Sequence, residues 1–192
     1  MTIKKKTGLY GVIGYPITHT LSPAMHNAAF RKLGINAVYM PLEVRPENLK
    51  EAMDGIKGLG FGGVNVTIPH KEAVIKYLDR LSKEAALIGA VNTIVNKNGT
   101  LTGYNTDAYG FTAALKEDLG FTPTEKTVFV VGAGGAAKAV VFALILGGAS
   151  RVIITDKADE KALELACEAE LKTGCECIAL KMGSPGMKEM IL

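Results

Sequence analysis

Short apolar runs alternate with amphipathic stretches from the start of the chain, the pattern of a mostly parallel sheet with helices packed on its faces. Residues 9–13 read as a first strand. Ser22 followed by Pro23 supplies an N-cap and a first-turn proline for a helix that runs to about Leu33, where Gly34 stops it. Residues 37–42 form a second strand, Pro46 opens a helix to about Ile56, and residues 62–68 form a third strand. Pro69 then opens a helix that carries Lys71 towards Leu81, and Ser82 caps a shorter one. Residues 91–95 and 100–104 flank Asn98-Gly99, a pair that tolerates the positive φ angles of a tight hairpin, and this is the one clear antiparallel step. A helix from about Thr106 to Leu119 leads through Gly120-Phe121-Thr122-Pro123 to a fresh strand-helix-strand pattern at Thr127. The expected organisation is therefore two α/β domains, residues 1–105 and 106–192.

Composition narrows the classes. Of 192 residues, 48% are hydrophobic and 21% charged, enough for one substantial core or two small ones and ordinary for a globular protein. The formal charge of +3 is scattered, with Lys4, Lys5 and Lys6 the only like-charge run, so no nucleic acid partner is implied. No apolar stretch is long enough to cross a bilayer and the opening residues lack a signal-peptide core, so a cytoplasmic protein with no membrane partner is expected. Cys167, Cys175 and Cys177 are an odd number near one end and do not suit a disulfide framework. Cys175 and Cys177 lack the second pair that a zinc site needs, so no metal is expected.

The strongest chemical signal follows the apolar run Val128-Phe129-Val130-Val131, which feeds directly into Gly132-Ala133-Gly134-Gly135-Ala136-Ala137 and an alanine-rich helix. Gly132 permits the tight turn, Gly134 lets the backbone approach a pyrophosphate, and Ala137 takes the small-residue position where helix and strand pack closely. The amides at the helix start then face the phosphates. Residues 151–155 form the next strand and end at Asp156, at the spacing where an acid bonds the adenosine ribose. Asp156 accepts from both ribose hydroxyls and repels a 2′-phosphate, which favours NAD. Lys157 can partly neutralise such a phosphate and leaves NADP open. A plain α/β turn, or a site for a methyl-donor cofactor, stays open on the glycines alone.

In Gly63-Val64-Asn65-Val66-Thr67-Ile68, Asn65 and Thr67 leave one face of a strand near its carboxyl end, where α/β proteins bind ligands. Asn92 lies beside another strand, and Asn105-Thr106-Asp107 follows the next. Thr20 and Ser22 point hydroxyls to one side of a loop. Such a set suits a small polyhydroxylated or carboxylated molecule, although Ser22, Thr106 and Asp107 also fit as helix caps. Lys71 and Asp107 are the candidates for moving the proton released when a secondary alcohol is oxidised by hydride transfer.

Read in order, Gly14-Tyr15-Pro16-Ile17-Thr18-His19-Thr20-Leu21-Ser22-Pro23-Ala24-Met25-His26-Asn27, Asn65-Val66-Thr67-Ile68-Pro69-His70-Lys71, Gly89-Ala90-Val91-Asn92-Thr93, Gly103-Tyr104-Asn105-Thr106-Asp107 and Gly132-Ala133-Gly134-Gly135-Ala136 resemble the shikimate dehydrogenase family. The resemblance implies a substrate domain followed by a Rossmann domain that binds NAD or NADP. It implies interconversion of shikimate and 3-dehydroshikimate in aromatic amino-acid biosynthesis, with quinate as a neighbouring substrate. By likeness, Lys71 and Asp107 match the catalytic pair, and Thr20, Ser22, Asn65, Thr67, Lys71, Asn92 and Asp107 match substrate-binding positions. Gly132, Ala133, Gly134, Gly135, Ala136, Asp156 and Lys157 match cofactor positions. A homodimer is left open.

Three departures stand out. Thr20 replaces the family's usual serine, keeping the hydroxyl but adding a methyl group. Asp156-Lys157-Ala158 replaces the Asn-Arg-Thr of NADP-dependent members, which is similar to the NAD-tolerant branch that uses quinate or shikimate. Members also continue well beyond Leu192, so the resemblance implies a truncated, split or fragment chain with an incomplete Rossmann domain. The half that cradles the nicotinamide, the closing helix and the glutamine it brings to the substrate are all expected to be missing. Two further readings stay open: another two-domain nicotinamide enzyme acting on a folate or amino-acid-like substrate, and a non-catalytic remnant that binds substrate only.

Overall fold

The computed structural model describes residues 7–184, in two compact units that divide between Asn105 and Thr106. In the first unit the chain runs through β1 (Gly8–Gly14), α1 (Ser22–Lys32), β2 (Ala37–Glu43), a single turn of tight helix at Pro46–Asn48, α2 (Leu49–Gly58) and β3 (Gly63–Val66). It continues through a second tight turn at Ala73–Tyr77, β4 (Arg80–Leu81), α3 (Lys83–Ile88), β5 (Thr93–Lys97) and β6 (Thr100–Tyr104). These strands make one sheet in the order β2-β1-β3-β5-β6-β4.

Apolar residues pack on both faces of the sheet around β1 and β3. Ile13, Val64, Val66 and Ile94 pack with Leu49, Met53 and Ile56 of α2, while Val12 and Tyr39 pack with Ile17 on the face that carries Phe30 of α1. The hairpin between β5 and β6 turns on Asn98 and Gly99, both at positive φ (54° and 83°), with the Gly99 amide donating to Asn96 Oδ1 at 2.9 Å. The Ser82 hydroxyl caps α3 by accepting from the Ala85 amide at 3.1 Å, and Gly89 ends that helix in the left-handed conformation.

Strand directions differ from the sequence expectation in one respect. β5 runs antiparallel to β6 and also to β3, so there are two antiparallel steps. The other strands, β1, β2, β3, β4 and β6, share one direction, which follows from their pairings. Their carboxyl ends, together with the amino end of β5, therefore lie along a single edge. Two helix readings also change. The first helix starts at Ser22 with Leu21 in the cap position, so Ser22 sits inside the first turn and does not cap it. Lys71 lies in a turn, and helical structure after Pro69 is confined to Ala73–Tyr77, because strand β4 follows within three residues and leaves no room for a full helix.

The second unit contains α4 (Asp107–Glu117), β7 (Thr127–Val131), α5 (Gly135–Leu146), β8 (Arg151–Thr155), α6 (Asp159–Thr173) and β9 (Glu176–Ala179). Its sheet is wholly parallel, in the order β7-β8-β9 among the described residues. This is the opening portion of a Rossmann sheet. α5 is apolar almost all round, and Ala139, Val141, Phe142, Ala143 and Leu144 are buried. β8 lies between β7 and β9 and is buried. Lys138 of α5 and Lys172 of α6 both grip Glu168, at 3.0 and 2.6 Å.

Ile13 is fully buried at the centre of the first unit's core. Ile13→Ala is expected to destabilise that unit by about 2–5 kcal/mol, read as a lower urea midpoint.

Candidate functional site

The carboxyl edge of the first sheet collects polar side chains from loops far apart in sequence. Beyond β1 the chain passes over Pro16 and Ile17 to α1, and a cleft of about 290 Å³ opens there, lined by Thr20, Ser22 and Thr67 with Val12 and Ile17 behind them. The Ser22 amide donates to Thr20 Oγ1 at 3.3 Å, which fixes the two hydroxyl residues relative to each other. Thr67 comes so close to β1 that a Cβ on Gly14 would lie 2.5 Å from its methyl carbon. Glycine at the strand end thus makes the room that Thr67 occupies.

Lys71 is half-buried in the turn that follows β3. Its carbonyl accepts from the Val91 amide at 2.8 Å, so the lysine's turn is stitched to the segment that carries Asn92. The neighbouring His70 is completely buried with Nε2 2.7 Å from the Val44 carbonyl. A carbonyl can only accept, so Nε2 carries a proton, and buried Nδ1 has no hydrogen-bond partner among the described residues. His70 anchors the base of the Lys71 turn. Nothing in the local pattern of the sequence marked it, because a lone histidine before a lysine reads as surface.

Asn92 stands at the amino end of β5, nearly buried, with its backbone carbonyl accepting from the Val66 amide at 2.8 Å and its Oδ1 accepting from the Thr93 hydroxyl at 3.0 Å. Asn65 and Thr67 do share a face, but the Asn65 amide is turned into the fold. Its Oδ1 accepts from the Tyr39 hydroxyl at 2.7 Å, and its Nδ2 donates to the Asn92 carbonyl at 3.3 Å and to Thr93 Oγ1 at 3.1 Å. Burial pushes the Tyr39 phenol up to about 12. The Tyr39 ring stacks on His26 at 4.2 Å, and its backbone is held by both ends of the Asn27 amide. Asn105 donates to the Ala90 carbonyl at 3.0 Å and braces the same segment. Thr20, Ser22, Thr67, Lys71 and Asn92 are thus gathered on one edge. Asp107 is the first residue of α4, in the second unit.

In the second unit, Gly132 has φ +115°, a conformation that disfavours any side chain, and its amide donates to the Thr155 carbonyl at 2.6 Å. A Cβ on Gly134 would meet nothing within 4 Å, so open space lies over the loop where α5 begins at Gly135. The Asp156 carboxylate takes the Ala133 amide on Oδ2 at 2.8 Å and the Ala158 amide on Oδ1 at 2.9 Å. These bonds, that from Ala158 first, hold its carboxyl below the usual carboxylate range. Ala136 and Lys157 are exposed on either side. The loop, the helix start and the acid fit the adenosine side of a dinucleotide. Burial raises the Cys175 thiol and pushes Cys177 up to about 12, so neither is an activated thiolate, and no metal-binding cluster is present among the described residues.

Comparison with known proteins gives a consistent result. Residues 12–94 match the family described as the shikimate dehydrogenase substrate binding domain. The chain is 52% identical over 164 residues to the shikimate dehydrogenase (NADP(+)) of Desulforamulus reducens, covering 85% of this chain and 56% of that one. It is similar to the crystal structure of shikimate 5-dehydrogenase from Listeria monocytogenes in complex with shikimate and NAD, with a TM-score of 0.85, 40% identity, and coverage of 94% of this chain and 63% of that one. It is also similar to quinate dehydrogenase from Corynebacterium glutamicum in complex with NAD, with a TM-score of 0.85, 33% identity, and coverage of 96% and 67%. The chain thus spans roughly three-fifths of the length of these relatives.

Because the Asp156 carboxyl is depressed in the folded state, the stability it contributes is complete above the unfolded carboxylate range and is lost as pH falls through its lower, folded value. Asp156→Ala is therefore expected to lower the thermal midpoint at neutral pH and to bring the two proteins closer together in strong acid. A difference that stays constant down an acid titration of the midpoints would show that the carboxylate does not hold the loop.

Proposed function

The chain belongs to the shikimate dehydrogenase family, and on that premise we propose that it carries the substrate site and the adenosine side of the cofactor site of an enzyme interconverting shikimate and 3-dehydroshikimate. The observation that carries this reading is the gathering of Thr20, Ser22, Thr67, Lys71 and Asn92 along one sheet edge. When bound, a nicotinamide supplies the hydride acceptor. This chain's own residues have the remaining tasks. Thr20 and Ser22 present hydroxyl donors to the substrate carboxylate, and Thr67 and Asn92 orient the ring hydroxyls. Lys71 takes the proton from the hydroxyl whose carbon is oxidised, and Asp107 relays it. The pathway this serves is aromatic amino-acid biosynthesis. The extra methyl of Thr20 beside the carboxylate, together with the likeness to a quinate dehydrogenase, supports quinate as a second substrate.

At the cofactor site Asp156 is the discriminating group. Its carboxylate is held towards the glycine loop by the Ala133 and Ala158 amides and can still accept from a ribose hydroxyl, while its charge opposes a 2′-phosphate. NAD is accordingly the preferred cofactor and NADP, used by the Desulforamulus relative, the poorer one. Turnover with each cofactor checks this: Asp156→Asn is expected to raise relative use of NADP, and an unchanged ratio would remove Asp156 from the discrimination.

Lys71→Ala is expected to lower turnover by about 10²–10⁴ while leaving shikimate affinity within a few-fold, measured by appearance of reduced nicotinamide and by calorimetry. Unchanged turnover would take Lys71 out of the chemistry. Because the chain spans only part of its relatives, binding alone is a second reading. Shikimate binding without turnover by the 192 residues would favour it, and absence of binding would sink both.

A further inference from the structure

We infer that His70 is a positioning residue whose buried imidazole closes a circuit of hydrogen bonds behind the proposed site and thereby sets where Thr67 and Lys71 stand. The inference rests on the proposed function for the tasks of those two residues. It goes beyond that reading by giving a part to a side chain that is wholly buried and out of reach of any ligand.

The circuit starts at the end of β1. The Ile13 carbonyl accepts from the Thr67 amide at 2.9 Å, and the Gly14 carbonyl accepts from the Val44 amide at 3.0 Å. The Thr67 carbonyl accepts from the His70 amide at 3.0 Å. These bonds tie the turn after β3 and the end of β2 separately to β1, and the His70 ring joins them to each other, with Nε2 donating to the Val44 carbonyl at 2.7 Å. The direction of that bond is fixed, since a carbonyl only accepts. Val44 is itself firm, for its side chain is buried in the core and its amide is bonded to Gly14.

The closure matters because of where the turn lies. Between Val66, the last residue of β3, and Ala73, where helical structure resumes, the chain belongs to no regular element, and Thr67 and Lys71 both stand in this stretch. The Tyr15 amide holds the Ile68 carbonyl at 2.9 Å on the β1 side, and the Val91 amide holds the Lys71 carbonyl at 2.8 Å on the β5 side. The imidazole adds a tie from the interior towards β2. An apolar side chain of similar size would avoid burying Nδ1, which has no partner among the described residues. What histidine offers in exchange is the reach of Nε2–H to Val44, carried on a rigid ring. Groups that bind or react are placed precisely when bonds behind them lock the backbone on which they stand.

The test compares His70→Gln, whose amide can take the place of Nε2, with His70→Asn, whose shorter amide cannot, and with His70→Phe, which keeps a ring and loses the donor. Hydrogen exchange at the Val91 amide reads the turn with no ligand present, because that amide is bonded to the Lys71 carbonyl. Relative to the amides that pair β5 with β6, Val91 is expected to exchange about tenfold faster in the Asn and Phe variants and within about threefold of the parent in the Gln variant. Equal acceleration at Val91 and in the β5–β6 pairing would overturn the inference, since a role in global stability alone loosens both alike. A Gln variant that exchanges as fast as the Asn variant would also overturn it. If the Phe variant does not fold, the Asn and Gln pair decides. Calorimetry with shikimate, at a temperature where each variant is folded, reads the effect on the site: a dissociation constant about tenfold weaker for Asn and Phe, and within about threefold of the parent for Gln. Asn and Phe variants that bind as tightly as the parent overturn the positioning role. A parent that does not bind shikimate removes the proposed function instead, and the exchange pattern then decides by itself whether His70 places the turn.

Discussion

Where the Val66 amide donates to the Asn92 carbonyl at 2.8 Å, a strand that shares the direction of its neighbours meets one that runs against them. An all-parallel sheet would present only the carboxyl ends of its strands at this edge, each feeding a loop. The reversal of β5 instead brings an amino end there, so a side chain at the start of a strand stands beside loops that leave β1 and β3. Strand ends are rigid and loops are not, and a site gains precision from groups held on the former. Asn92 is fixed by the ladder itself, Lys71 by the bond from Val91, and Thr67 by the space that Gly14 leaves.

The second unit reaches a comparable rigidity by a different means. Its loop is held by a carboxylate from the next strand, with Asp156 closing onto Ala133 in front and Ala158 behind. The apolar α5 then roots the loop in the core, since a helix buried on most of its circumference cannot slide without opening cavities.

Features set by neighbours in sequence were legible from the residues. Asn98-Gly99 adopts the positive φ angles its composition invites, Ser82 caps its helix, and Gly132 takes a conformation that other residues avoid. What was not legible depends on residues distant in sequence. The pairing of β3 with β5 joins Asn65 to Thr93 across 28 positions, and no local pattern specifies it. Alternation placed Asn65 and Thr67 on one face correctly, but it could not tell which of the two amide or hydroxyl groups the fold would claim, because that depends on Tyr39 lying opposite. Pro69 resembles a helix start, but the short connection to β4 overrides that preference and leaves Lys71 in a turn.

The two-sided grip of Asp156 has an entropic side. A glycine-rich turn is among the most mobile pieces of backbone when unsupported, and ordering each such residue costs about 1–2 kcal/mol. Here the turn is already ordered by folding, with its Ala133 amide held by the same carboxylate that takes the Ala158 amide of the connection after β8. Any molecule that docks against it meets a surface already in its final shape, and its contact energy is not diminished by having to arrange the backbone first.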